Sequence, residues 1–174
     1  MSSMNGKSDR VAITGVGLLS PLGIGLDENW DGLMAGKSGV DVITQFDPTD
    51  APTNFAGEIP GFDALNYLDR KMVRQYDRYL HLSLVAGDQA LENANIPVDD
   101  LPKDRTAILV GSGMGGVKTF YDNAVAMHTK GYRRISPFFV PSTITNMASG
   151  LLTIRYGTHG ANYAIVSACA TGAH

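Results

Sequence analysis

Cysteine is almost missing from this sequence: Cys169 stands alone among 174 residues. A single thiol closes no internal disulfide, which points to a reducing compartment such as the cytoplasm, and it cannot build a cysteine-based zinc site. The four histidines, His81, His128, His159 and His174, lack the spacing of metal ligands, so no metal is expected. Basic runs are absent too. The net charge is -3 and "RRIS" at 133–136 is too short to count as a basic block, which argues against a nucleic-acid partner. No apolar stretch approaches the ~18 residues of a membrane span. Residues 1–9, "MSSMNGKSD", carry neither the apolar core of a secretory signal nor an Arg-rich amphipathic pattern. They read as a flexible N-terminus ahead of one globular domain over 10–174.

What is there is an alternation of strand and helix patterns. "RVAITGVG" at 10–17 is a β-branched run closed by glycines, expected to be a buried strand and a turn. Asp27 can cap a helix through "ENWDGLMAGKSG", with Trp30, Leu33 and Met34 on one face. Residues 40–70, rich in Asp, Pro and Thr, read as a surface excursion with at most a short strand at "TNFAGEI". From Val73 onward Tyr76, Leu80, Leu84 and Leu91 recur at helical spacing until Asn95 and Pro97, which predicts one long helix. "RTAILVGSGMGG" at 105–116 is a strand entering a glycine-rich turn, followed by a helix through "VKTFYDNAVAMHTKG". Pro141, the face Ile144, Met147, Leu151 and Leu152, and Gly157 delimit another helix. "ANYAIVSACATGAH" is a third strand entering a turn. The alternation predicts an α/β fold with a buried parallel or mixed sheet and helices on both faces.

"GSGMGG" at 111–116 matches G-x-G-x-x-G in the right local context, so a dinucleotide site has to be weighed. The acidic ribose-binding residue expected ~20 positions later is absent, the window reading "KGYRRIS". The glycines therefore read better as tight turns or close packing. Cys169 is the stronger signal. A thiol between a strand and a helix start projects from a sharp turn, where helix N–H groups and partial positive charge favour a thiolate and its own N–H can serve an oxyanion. The alternative is a small buried hydrophobe. No histidine offers itself as base: His174 falls roughly 140° around a helix from Cys169, His159 sits at the far end of the strand, and His81 and His128 lie on helices.

"RVAITGVGLLSPLG", "AILVGSGMGG", "RRISPFFVPSTITNM" and "SACATGAH", in this order and spacing, resemble the N-terminal part of the β-ketoacyl-[acyl-carrier-protein] synthases of thiolase fold, and "SPFFVPSTI" resembles their elongating type II members. The resemblance implies that Cys169 takes an acyl chain from acyl-carrier protein as a thioester, with its backbone N–H as half of the oxyanion hole. Decarboxylation of a malonyl-carrier protein then yields a carbanion that lengthens the chain by two carbons. It further implies acyl-pocket roles for Met114 and Phe139, the latter reaching across a homodimer interface, and a carrier-protein surface at Lys71 and Arg74, where Gln75 replaces a basic residue. No organic cofactor is implied. The family's catalytic histidines, its lysine and a phenylalanine-bearing glycine loop match nothing here, so the isolated chain is expected to be inactive.

Overall fold

The structure is a computed structural model that describes residues 10–173. The expectations for residues 1–9 and for His174 lie outside the described residues. In chain order the elements are β1 (Leu19–Ser20), β2 (Gly23–Ile24), α1 (Leu26–Met34), β3 (Asp41–Val42), β4 (Phe55–Ala56), α2 (Arg70–Gln75), α3 (Arg78–Asn93), β5 (Ile108–Leu109), α4 (Val117–Lys130), α5 (Phe139–Thr143), α6 (Met147–Tyr156) and β6 (Asn162–Tyr163). The first two strand pairs are antiparallel, and β5 pairs with β6 in parallel.

The core is the seam between α3 and α6. Leu80, Leu84 and Val85 meet Ala148, Leu151, Leu152 and Tyr156, with Phe62, Ala64 and Leu68 closing one end. Gly87 permits this approach, because a Cβ there would fall 2.6 Å from Tyr156 Oη and 2.7 Å from Leu152 Cδ2. A polar clamp closes the seam at the surface. Arg155 donates twice to the Asp88 carboxylate, at 2.8 and 2.7 Å, and Tyr156 Oη donates to it at 3.0 Å.

Four sequence expectations are corrected. Residues 10–17 form no strand, and Val11 and Ile13 are 96% and 87% exposed rather than buried. The segment instead runs along α3, its Val16 and Leu18 N–H groups donating to the Asn93 and Gln89 side-chain oxygens at 3.0 Å each. Gly15 and Gly17 allow that contact, since a Cβ on either would overlap an α3 carbonyl. In α1 the cap is Gly25 rather than Asp27, and the inward residues are Asn29 and Gly32. Asn29 donates to the Gly23 and Gly25 carbonyls at 2.9 and 2.7 Å, tying the helix to the β1–β2 hairpin and leaving Trp30, Leu33 and Met34 exposed.

The long helix expected after Val73 is two helices, broken by extended backbone at Tyr76 and Asp77. Asp77 earns the break by capping α3 through the Tyr79 N–H at 3.3 Å and accepting from the Thr119 N–H and hydroxyl of α4 at 2.9 and 2.7 Å. The helix expected from Pro141 is likewise split at Ile144: Pro141 lies in the first turn of α5, where its missing N–H is harmless, and α6 ends at left-handed Gly157, φ 64°. The two faces of the parallel pair differ in exposure. Asn162 points to α6, donating to Ser149 O and Thr153 Oγ1, while Tyr163 is 63% exposed on the other face with Leu109.

His81 is buried beneath α2, with Nε2 3.4 Å from the Met72 carbonyl oxygen. Burial pushes its pKa below the ordinary imidazole value, outweighing the neighbouring Asp77 carboxylate, which acts in the opposite sense to Arg78. The unfolded imidazole binds a proton near pH ~6.5 and the folded one resists it, so stability is full above that value and falls as pH drops through it. Thermal melts at about pH 7.5 and about pH 5.5 should show a loss of Tm that His81→Gln reduces; an unchanged pH dependence in the variant would contradict the assignment.

Candidate active site

The register of the parallel pair builds the site. Ile108 N–H donates to Ala161 O at 2.8 Å and Val110 N–H to Tyr163 O at 3.2 Å, so β5 and β6 leave the sheet side by side at their C-terminal ends. There the glycine loop after β5 meets the cysteine turn after β6, at the end of a parallel sheet where ligands are ordinarily met. A Cβ on Gly111 would overlap Thr171 Cγ2 and lie 2.7 Å from Ile165 O. On the loop's other side a Cβ at Gly115 or Gly116 would overlap the Thr143 or Ser142 carbonyl of α5. At Gly111, Gly115 and Gly116 the protein's own backbone and side chains occupy the space, so these three glycines serve close packing, while Gly113 meets nothing within 4 Å.

Cys169 is exposed, the second residue of a single 3₁₀ run, Ala168–Ala173. The helix start expected at Cys169 is, among the described residues, this 3₁₀ run. The turn has other features. Ala168 takes a left-handed conformation at φ 49°, which costs a residue with a side chain about 1–2 kcal/mol. Thr171 Oγ1 accepts from Ser167 N–H at 2.9 Å and donates to Ala168 O at 2.8 Å; at about 1 kcal/mol each, two such bonds are of the size needed to offset that strain. The Cys169 N–H has no acceptor among the described residues, which leaves it available to an incoming oxygen. Ser167 Oγ is buried without a partner there.

The other sequence-derived candidates sit on elements that touch this turn in series. Met114, 75% exposed, is on the glycine loop itself. Phe139 is half-buried on α5, its ring 5.8 Å from that of Phe120 on α4. Lys71 and Arg74 are exposed on α2, which Asp69 caps by accepting from the Lys71 and Met72 N–H groups at 2.8 and 2.9 Å. That helix is held to α5 by Ser142 Oγ, which donates to Gln75 O at 2.7 Å, and by Tyr76 against the Phe138 ring at 6.3 Å. His159 pairs with Asp104 at 2.9 Å beside the start of β6, at the opposite end from Cys169. Thr171 and the Ala168 conformation escaped the sequence reading; a hydroxyl two residues after the cysteine was their one trace.

The family described as "Beta-ketoacyl synthase, N-terminal domain" matches residues 8–174. The chain belongs to the β-ketoacyl synthase family. It is 41% identical over 170 residues to the 3-oxoacyl-[acyl-carrier-protein] synthase 2 of Synechocystis sp., covering 98% of this chain and 41% of that one. Its fold is similar to that of the ishigamide ketosynthase/chain length factor, with TM-score 0.81 and 24% identity over 90% of this chain and 40% of that one. It is also similar to a type II PKS ketosynthase solved in complex with its acyl-carrier protein, with TM-score 0.70 and 22% identity over 84% of this chain and 38% of that one. The β-ketoacyl synthase chain described here therefore has a thiolase-like α/β fold and spans about two fifths of the length of the relatives it matches. Among the described residues no helix is long and apolar enough to cross a membrane.

Two glycine substitutions separate packing from open space. Gly111→Ala must displace Thr171, and should lower stability by about 1–3 kcal/mol in urea titration. Gly113→Ala meets nothing within 4 Å and should stay within about 0.5 kcal/mol of the parent. Equal costs at both positions would rule out the contact between loop and turn.

Proposed function

We propose that this chain carries the nucleophile portion of a condensing enzyme of fatty acid elongation, a 3-oxoacyl-[acyl-carrier-protein] synthase. The observation that carries the reading is the exposed thiol of Cys169 on a left-handed turn at the C-terminal end of the parallel pair, inside a family match over residues 8–174. The thiolate attacks the carbonyl carbon of an acyl-carrier-protein thioester. A new carbon–sulfur bond forms at Cys169, and the carrier thiol leaves and takes up a proton. The Cys169 N–H donates to the developing oxyanion. In the second half-reaction, malonyl-carrier protein loses carbon dioxide and its carbanion attacks the Cys169 thioester. A carbon–carbon bond forms, the thiol of Cys169 is released and the 3-oxoacyl-carrier protein departs. The groups that would drive decarboxylation are assigned to no residue of this chain.

Met114, on the glycine loop that meets the nucleophile turn, and Phe139, on the α5 helix that the loop packs against, are proposed to line the acyl pocket with apolar side chains. A second copy of the chain is proposed to cover α4, which has no buried residue and exposes Val117, Phe120, Tyr121 and Val125. The cytoplasm, a reducing compartment, suits an exposed unpaired thiol.

Incubation of the purified chain with a stoichiometric acyl-carrier protein, followed by intact-mass and peptide mass spectrometry, tests the reading. One acyl adduct should appear on Cys169 and vanish in Cys169→Ala; the inactivity expected of the isolated chain concerns condensation, so no 3-oxoacyl product should form from malonyl-carrier protein. An acyl group mapped elsewhere, or none, would refute it.

Lys71 and Arg74 are proposed to meet the acidic carrier. Rim charges of this kind act on association, so Lys71→Glu with Arg74→Glu should slow transfer from acyl-carrier protein by about tenfold at low salt and less at high salt. Transfer from a small acyl thioester should not change; a loss with both donors would show that the pair does not act through the carrier.

A further inference from the structure

We propose that Thr171 is a positioning residue for Cys169, holding the nucleophile turn open through its hydroxyl and fixing its place through its methyl group. The inference rests on the reading of Cys169 as the nucleophile. Thr171 is not placed against the reacting atoms; it acts on the two residues that precede the thiol. Its Oγ1 accepts from Ser167 N–H at 2.9 Å and donates to Ala168 O at 2.8 Å, so one hydroxyl spans the Ser167–Ala168 pair from both ends. Ala168 between those bonds is at φ 49°, and Asn95 is the one other non-glycine residue at positive φ among those described. Asn tolerates that region by local side-chain hydrogen bonding, whereas Ala has no polar atom of its own with which to do so. Two of the hydrogen bonds that hold Ala168 there come from Thr171, beside the backbone bond from Ala170 N–H to Ser167 O at 3.1 Å.

The second contact is separate. Thr171 Cγ2 lies against the bare Cα of Gly111, so the turn is located relative to the loop that carries Met114. Hydroxyl and methyl can be removed one at a time: Thr171→Val keeps the shape and loses both hydrogen bonds, and Thr171→Ser keeps the bonds and loses the contact with Gly111. The hydroxyl should govern the backbone of Ala168 and the direction of the thiol. The methyl should govern only how firmly the turn is seated.

The test uses the whole 174-residue chain and two readouts. Isotope-labelled protein reports the left-handed conformation of Ala168 through its Cα and Cβ chemical shifts and its amide–Hα coupling. The pH profile of Cys169 alkylation by iodoacetamide reports the environment of the thiol. In Thr171→Val the left-handed signature should be lost and the alkylation rate at neutral pH should change by about tenfold, the scale of one hydrogen bond in an equilibrium. Thr171→Ser should retain the signature and the parental profile. Ala168 remaining left-handed in Thr171→Val with an unchanged alkylation profile would overturn the proposal. So would loss of the signature in Thr171→Ser, a result that stands even if the valine variant does not fold. A parent chain that accepts no acyl group, yet whose Ala168 signature and alkylation follow the hydroxyl as stated, would sink the nucleophile reading and uphold the role of Thr171 in the turn.

Discussion

Parallel pairing of β5 with β6 is the constraint on which the rest of the site depends. The strands are separated by more than fifty residues of chain, and two backbone hydrogen bonds, from Ile108 to Ala161 and from Val110 to Tyr163, set their register. Because the strands run the same way, both exits lie at one end. "GSGMGG" and "SACATG" are thereby neighbours, which no antiparallel arrangement of the same segments would achieve. The α3–α6 seam is what keeps the strands in place: Ile108 and Val110 pack against that core, and Asn162 bonds across to α6.

From that junction the fold extends in one direction toward charge. The glycine loop lies on α5, α5 is hydrogen-bonded to the end of α2, and α2 presents Lys71 and Arg74 to solvent. Asp77 locks this series to α4 by capping one helix while accepting from another. A surface suited to an acidic macromolecule and a thiol suited to acyl transfer are thus mounted on contiguous packed elements. The proposed carrier contact at Lys71 and Arg74 and the proposed acyl acceptor Cys169 would stand at the two ends of that series.

The turn itself shows how a small site is made from weak forces of comparable size. A left-handed alanine is unfavourable by about 1–2 kcal/mol, and two neutral hydrogen bonds from one threonine are worth about the same. Neither would decide the conformation alone. The close approach of Gly111 removes the room in which the turn could otherwise relax, and so converts a marginal preference into a fixed geometry.

The sequence by itself determined the helical segments of α1, α3, α4 and α6, the strands β5 and β6, and the positions of the glycine loop and Cys169, because these follow from local pattern and composition. The family resemblance rested on the same local motifs. Tertiary structure decided the rest. Amphipathic periodicity could not tell that Trp30, Leu33 and Met34 face outward, because the polar Asn29 wins the inward side through carbonyls of a neighbouring hairpin. Nor could it split the helix at Asp77, whose hydrogen-bond partner Thr119 lies 42 positions away. The segment 10–17 has the composition of a strand, yet its N–H groups are satisfied by side chains of α3. The role of Thr171 was illegible for the same reason: a hydroxyl acquires meaning only when the backbone it bridges, and the glycine its methyl touches, have been brought to it by the fold.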